Sequence, residues 1–263
     1  MSDEVIITVE DRIAYITLNR PKSGNAISLS VANALLKAAI YCEHHTEIRC
    51  VVLRGQGTFF CTGGDIEAFK TAAEHIPEFL SELAGVLNLA ISRLLRMPKP
   101  LLVAMNGTAA GAGMSLALMG DIVLMKASAK LSPAYTGIGL SPDGGLTWML
   151  PKLAGLRRAQ EILLLNQNLS AQQALQDGLV TKVIADEDFE AELKRYAILL
   201  SQQALPAMSN IRQMLLAHQH NSLETHLELE ARGIAAISLT YSAKEGVSAF
   251  FEKRVPDFQG HKA

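Results

Sequence analysis

The sequence predicts an α/β fold with a helical tail, and three observations carry the prediction. Runs of β-formers such as residues 50–54, 101–105 and 121–125 are almost wholly apolar and alternate with helical patterns, which marks a sheet covered by helices rather than a half-exposed antiparallel one. Glycine-rich turns stand where two apolar strands give way to helices. Beyond Pro142 the pattern is mostly helical.

In chain order, residues 5–9 and 13–18 collect β-formers on either side of Glu10-Asp11-Arg12, the pattern of a short hairpin that Asn19-Arg20-Pro21 ends. A helix is predicted over 29–44, with Ser28 or Ser30 as its N-cap, followed by a buried strand over 50–54. Ile76, Leu80, Leu83, Leu87 and Ile91 form one apolar face and define a helix over 76–95. Met97-Pro98-Lys99-Pro100 separates it from a strand over 101–105. A helix over 111–119 and a strand over 121–125 follow. Helices are then predicted over 142–153, 156–165 and 171–177, a strand over 180–184, and helices over 189–203, 206–219, 222–236 and 241–252. The sequence carries no internal repeat or low-complexity stretch.

Composition narrows the function. A chain of 263 residues, 49% hydrophobic and 19% charged, is long enough to bury a substantial core. Its formal net charge is -2 and its basic residues are dispersed, so the electrostatic footprint of a nucleic-acid binder is missing. Cys42, Cys50 and Cys61 are odd in number and form no CxxC pair, which argues against a disulfide framework and a structural zinc site and suits a reducing cytoplasm. The opening Met1-Ser-Asp-Glu lacks the basic-then-apolar order of a signal peptide, and glycines and Asp121 interrupt the apolar stretch 101–125, so no membrane association is expected. His44-His45 and His218-Gln-His220 are one or two residues apart, a spacing that does not put side chains on one helical face; no metal is expected.

The chemistry concentrates between residues 59 and 145. Thr62-Gly63-Gly64-Asp65 and Gly107-Thr-Ala-Ala-Gly111-Ala112-Gly113 are two turns able to aim backbone N–H groups at one point, an arrangement that binds an oxygen whose negative charge grows during reaction. Ser141-Pro142-Asp143-Gly144-Gly145 offers a carboxylate in another tight turn, as a base. The same residues also read as a helix start, with Ser141 capping, Pro142 at the first position and Asp143 favoured by the dipole. Two rival patterns are incomplete. Gly113-Met-Ser115-Leu-Ala117 lacks the closing glycine of a nucleophile elbow and an evident His–Asp pair, and Gly111-Ala-Gly113 has Leu116 where a dinucleotide fingerprint needs its third glycine.

Five stretches together resemble the crotonase (enoyl-CoA hydratase/isomerase) superfamily in order and spacing. They are Leu18-Asn-Arg-Pro21 with Asn25-Ala-Ile-Ser28, Phe60-Cys-Thr-Gly-Gly-Asp-Ile66, Asn106-Gly-Thr-Ala-Ala-Gly-Ala-Gly113, Leu116-Ala-Leu-Met-Gly-Asp-Ile122 and Ala174-Leu-Gln-Asp-Gly-Leu-Val180. The resemblance implies a crotonase-like spiral of ββα turns as an acyl-CoA-binding catalytic core over 1–200, with a helical C-terminal region over 201–263 that forms a homotrimer or homohexamer. It also implies oxyanion-hole amides at Gly64 and Ala112, and a substrate site drawing on Thr62, Gly63, Asp65, Ile66, Gly111 and Tyr135. Coenzyme A enters as part of the substrate, with no separate cofactor. Phe250-Phe251-Glu-Lys253-Arg254 looks like the segment that reaches a neighbouring subunit's CoA, which places Phe251 and Lys253 at substrate.

Two departures from the family pattern sharpen the expectation. Hydratases of this kind use two glutamates to activate water; the corresponding positions here read Ser115 and Tyr135, and neither supplies a carboxylate. Asp143 lines up instead with the aspartate of isomerases of the phenylacetate-degradation type and of dienoyl-CoA isomerases, and of a dehalogenase that uses it as a nucleophile. The resemblance therefore implies double-bond isomerisation with Asp143 as acid and base. The alternatives are hydration with another second carboxylate such as Glu67, hydrolysis or dehalogenation through Asp143, and non-catalytic acyl-CoA binding. A proton-shuttling aspartate needs an apolar, poorly hydrated pocket, and Tyr135, Ile138, Leu140 and Trp148 are near enough in sequence to supply one.

Overall fold

Asp11 and Arg12 both take positive φ (49° and 64°), so the chain reverses in two residues and β1 (Val5–Glu10) pairs antiparallel with β2 (Ile13–Leu18). Every further neighbour in this sheet is parallel. β3 (Cys50–Gly55), β5 (Leu101–Met105), β7 (Ile122–Lys126) and β10 (Lys182–Ile184) complete six strands in the order β1-β2-β3-β5-β7-β10. The computed structural model describes residues 3–260. Side chains alternate across the sheet: Val51, Leu53, Leu101 and Val103 join a core shared with α1 (Leu29–His44) and α3 (Ile76–Arg96). Cys50, Val52, Leu102 and Ala104 join a second core, under α8 (Phe189–Gln202). Burial on both faces is why these strands read as unbroken apolar runs.

A second, four-stranded sheet, in the order β4-β6-β8-β9, is made of β4 (Phe59–Cys61), β6 (Thr108–Ala110), β8 (Lys130–Ser132) and β9 (Leu169–Ser170). Periodicity does not reveal strands of two or three residues. The expected spiral is visible in the way the sheets are shared. β3, β5 and β7 enter the large sheet, the strand after each enters the small one, and short helices α2 (Ile66–Ala72) and α4 (Ala112–Leu118) follow β4 and β6. β4 and β6 pair in parallel, so both strands end on the same side, each in one of the glycine turns.

The loop between β2 and α1 is tied to this arrangement by Asn25, which is 1% exposed and sits at φ 57°. Its amide donates to the carbonyls of Gln56 (2.9 Å) and Phe59 (2.8 Å), while its oxygen accepts from Arg20 N (2.8 Å). All of these partners are main chain, so only a short amide side chain bonds them at once.

The predicted helix over 142–153 is corrected. α5 spans Leu146–Ala154, because Gly144 and Gly145 both lie in the left-handed region (φ 61° and 78°) and stop any helix from starting at Ser141; no side chain caps it. α6 (Leu156–Leu164) and α7 (Ala171–Gln176) follow, the latter closed by a capping box between Ser170 and Gln173. The tail is α9 (Leu205–Ala217), α10 (Leu223–Ser238) and α11 (Tyr241–Glu252). It is fastened by Arg212, whose guanidinium pairs with Asp121 (2.6 Å) and donates to the carbonyls of Leu94, Leu95 and Met97 at the end of α3. No residue of α10 is buried, and Leu227, Ile234, Phe250 and Phe251 are exposed.

Two substitutions test these packing arguments by urea unfolding. Asn25→Ala strands two carbonyls and an N–H, and lowers stability by about 2–4 kcal/mol. Gly85→Ala, on a solvent-facing position of α3 where a Cβ meets nothing within 4 Å, raises stability by about 0.5–1 kcal/mol.

Candidate active site

The two glycine turns are in contact. Gly63 lies at φ 100°, and a Cβ added there would stand 3.0 Å from the Ala110 carbonyl oxygen and 3.5 Å from the Ala112 nitrogen, so the turns approach through bare backbone. Ala112 is the first residue of α4, where helical geometry leaves the N–H without an intrahelical acceptor. Gly64 is placed by the flanking bonds of an isolated bridge, Ile27 N to Gly63 O (2.7 Å) and Asp65 N to Ile27 O (3.1 Å). Among the described residues, neither the Gly64 nor the Ala112 amide donates to another main-chain carbonyl.

Both amides border a cavity of about 340 Å³. The first turn contributes Thr62, Gly63, Gly64 and Ile66, the second Gly111 and Ala112, and α3 forms an apolar wall of Leu80, Leu83, Ala84 and Leu87. The opposite side is Tyr135, Ile138 and Leu140, running into Ser141, Pro142 and Asp143. Among the described residues, Asp143 is the only carboxylate that lines the cavity, and no Lys, Arg or His does. Tyr135 Oη donates to Asp143 Oδ1 at 2.6 Å, and Ser115 Oγ donates to the main-chain oxygen of Asp143 at 2.9 Å. Burial, and after it the charge of Asp143, holds the Tyr135 hydroxyl well above its ordinary range, so it remains a donor. The buried Cys61 thiol on β4 is likewise pushed up to about 12, chiefly by desolvation, and is no nucleophile.

A chain-wide likeness accompanies this geometry. The family described as Enoyl-CoA hydratase/isomerase matches residues 8–261. The chain belongs to that family. Among its relatives, the 1,2-epoxyphenylacetyl-CoA isomerase of Escherichia coli (strain K12) is 36% identical over 263 residues, 99% of this chain and 100% of that protein. A probable enoyl-CoA hydratase of Rhodobacter capsulatus is also 36% identical, over 96% of each chain. The crystal structure of an enoyl-CoA hydratase from Polaromonas sp. JS666 superimposes with a TM-score of 0.92 at 32% identity, over 96% of this chain and 98% of its own.

Most of the residues that the enoyl-CoA hydratase/isomerase resemblance singled out meet in the cavity, and three of the predicted site residues do not. The Asp65 carboxylate accepts from Arg20 Nη1 at 2.9 Å and lies outside the lining; for the same reason it makes no capping bond to α2. Phe251, 78% exposed, and Lys253, in the left-handed position that ends α11, are on the tail and outside this chain's own cavity. Trp148 is also excluded. It lies on α5, half-exposed, with the Lys152 ammonium over its ring. Glu67, the alternative second carboxylate, is exposed on α2 and does not line the cavity.

Sequence reasoning missed two features. The apolar stripe of α3 was legible as a buried face but not as a cavity wall, and the hydrogen bonds converging on Asp143 from Ser115 and Tyr135 join residues 28 and 8 positions away. Gly63→Ala tests the contact between the turns. The methyl meets the Ala110 carbonyl in a disfavoured φ, so the urea midpoint falls by the equivalent of about 1–3 kcal/mol.

Proposed function

We propose that this enoyl-CoA hydratase/isomerase family member isomerises the double bond of an acyl-CoA thioester, with Asp143 as the single acid and base. The observation that carries the reading is that Asp143 is the one carboxylate facing the cavity that both unpaired amides border. The thioester oxygen takes the N–H groups of Gly64 and Ala112, and Thr62, Gly63, Ile66 and Gly111 shape its surroundings. Asp143 removes a proton from C2 of a 3-enoyl thioester, and the electron pair of the broken C–H bond delocalises onto that oxygen. The carboxylic acid then returns the proton to C4 while the double bond settles between C2 and C3. Atoms and electrons balance without water or a redox partner, so one carboxylate suffices. Loss of one oxyanion donor typically costs roughly a hundred- to a thousandfold in rate, which is the scale on which the two amides contribute.

The apolar wall from α3 and the lack of a cation among the described lining residues favour a neutral, apolar acyl group. A charged acyl terminus buried there finds no partner, and the unpaired charge costs several kcal/mol. The exposed apolar residues of α10 and α11 suit packing between copies of this chain, as a homotrimer or homohexamer in which Phe251 and Lys253 reach a neighbour's CoA.

Incubation with 3-enoyl-CoA and 2-enoyl-CoA separately tests the reaction. Migration of the double bond is expected, with 3-hydroxyacyl-CoA formed at least about a hundredfold more slowly; hydration alone overturns the proposal. Asp143→Asn abolishes turnover while thioester affinity, read by calorimetry, stays within about threefold, because the amide has nearly the same shape. A 3-enoyl-CoA ending in a carboxylate is expected to have a kcat/KM about a hundredfold or more below that of its neutral analogue.

A further inference from the structure

Asp143 lies ahead of α5, in a turn that no helix geometry holds, so its aim depends on what the turn leans against. Two buried hydroxyls meet it. Ser115 Oγ, on α4, gives its proton to the Asp143 main-chain oxygen, and Tyr135 Oη gives its own to Oδ1. Each hydroxyl owns one proton. With both committed to Asp143, the 3.4 Å separation between Ser115 Oγ and Tyr135 Oη carries no shared proton, and Tyr135 has none to offer a ligand. The turn also rests directly on Ser115: a Cβ added at Gly144 would stand 2.8 Å from Ser115 Cβ. Position 115 must therefore be small as well as hydroxylated.

We infer that Ser115 and Tyr135 are positioning residues that brace Asp143 at two points, with Tyr135 occupying Oδ1 so that Oδ2 is the atom that takes and returns the substrate proton. The inference rests on Asp143 being the base. An oxygen that already accepts a short bond has less density for a second proton, and a brace at both main chain and carboxylate fixes which lone pairs face the cavity. The charge of Asp143 acts on Tyr135 and Cys61, and burial, the larger cause, keeps both of these protonated.

The test is the steady-state kinetics of isomerisation in Tyr135→Phe, Ser115→Ala and Asp143→Asn. Tyr135→Phe is expected to lower kcat about tenfold or more with KM within about twofold, as befits loss of a hydrogen bond to a charged group. A variant with raised KM and unchanged kcat would assign the hydroxyl to substrate and overturn the brace. If Asp143→Asn is inactive and Tyr135→Phe keeps its kcat, the brace alone falls; an active Asp143→Asn removes the base and the brace together. Should Phe at 135 fail to fold, Ser115→Ala carries the test, with kcat expected to fall about fivefold or more at unchanged KM; an unchanged kcat overturns the brace.

Discussion

Because β4 pairs in parallel with β6, the two strands end on the same side, and the chains leaving them pass each other with only backbone between them. Everything distinctive about the site follows from that constraint. The turns touch where Gly63 has no side chain, α4 starts at once at Ala112, and two N–H groups are left facing a cavity instead of a carbonyl. Asn25 ties the loop between β2 and α1 to the start of β4, through main-chain bonds to Gln56 and Phe59 and to Arg20 in its own loop. Small-sheet pairing thus does work that side chains do in other sites.

The division of labour is unequal in kind. In the proposed reaction, stabilisation of negative charge falls to main-chain donors, which point mutation cannot remove without moving the backbone. Proton movement falls to one side chain held by two hydroxyls. The wall beside both is apolar, and in such surroundings a dipole or a charge acts at closer to its full strength than it does in solvent.

Much of this was legible in the residues. Unbroken apolar runs pointed to a sheet covered by helices, Ser28 was one of two cap candidates for α1, and the glycine turns pointed to the backbone at Gly64 and Ala112. The small sheet was not legible, since Phe59–Cys61 and Thr108–Ala110 are too short for any periodicity. Ser141-Pro142-Asp143 carried a strong helix-start signal that two left-handed glycines overrule, which frees the aspartate for the cavity. Asp65 was expected at the substrate, and its carboxylate is taken by the Arg20 guanidinium instead. Both corrections arise from neighbours whose effect depends on three-dimensional contact, as does the meeting of Ser115, Tyr135 and Asp143.

Arg212 links places that are far apart along the chain. Its guanidinium gathers the last carbonyls of α3, the helix whose earlier turns line the cavity, and it belongs to the tail that presents apolar residues outward. One helix therefore bounds the pocket at one end and is anchored by a tail residue at the other, so the seat of that wall is set jointly by the core and by the C-terminal helices.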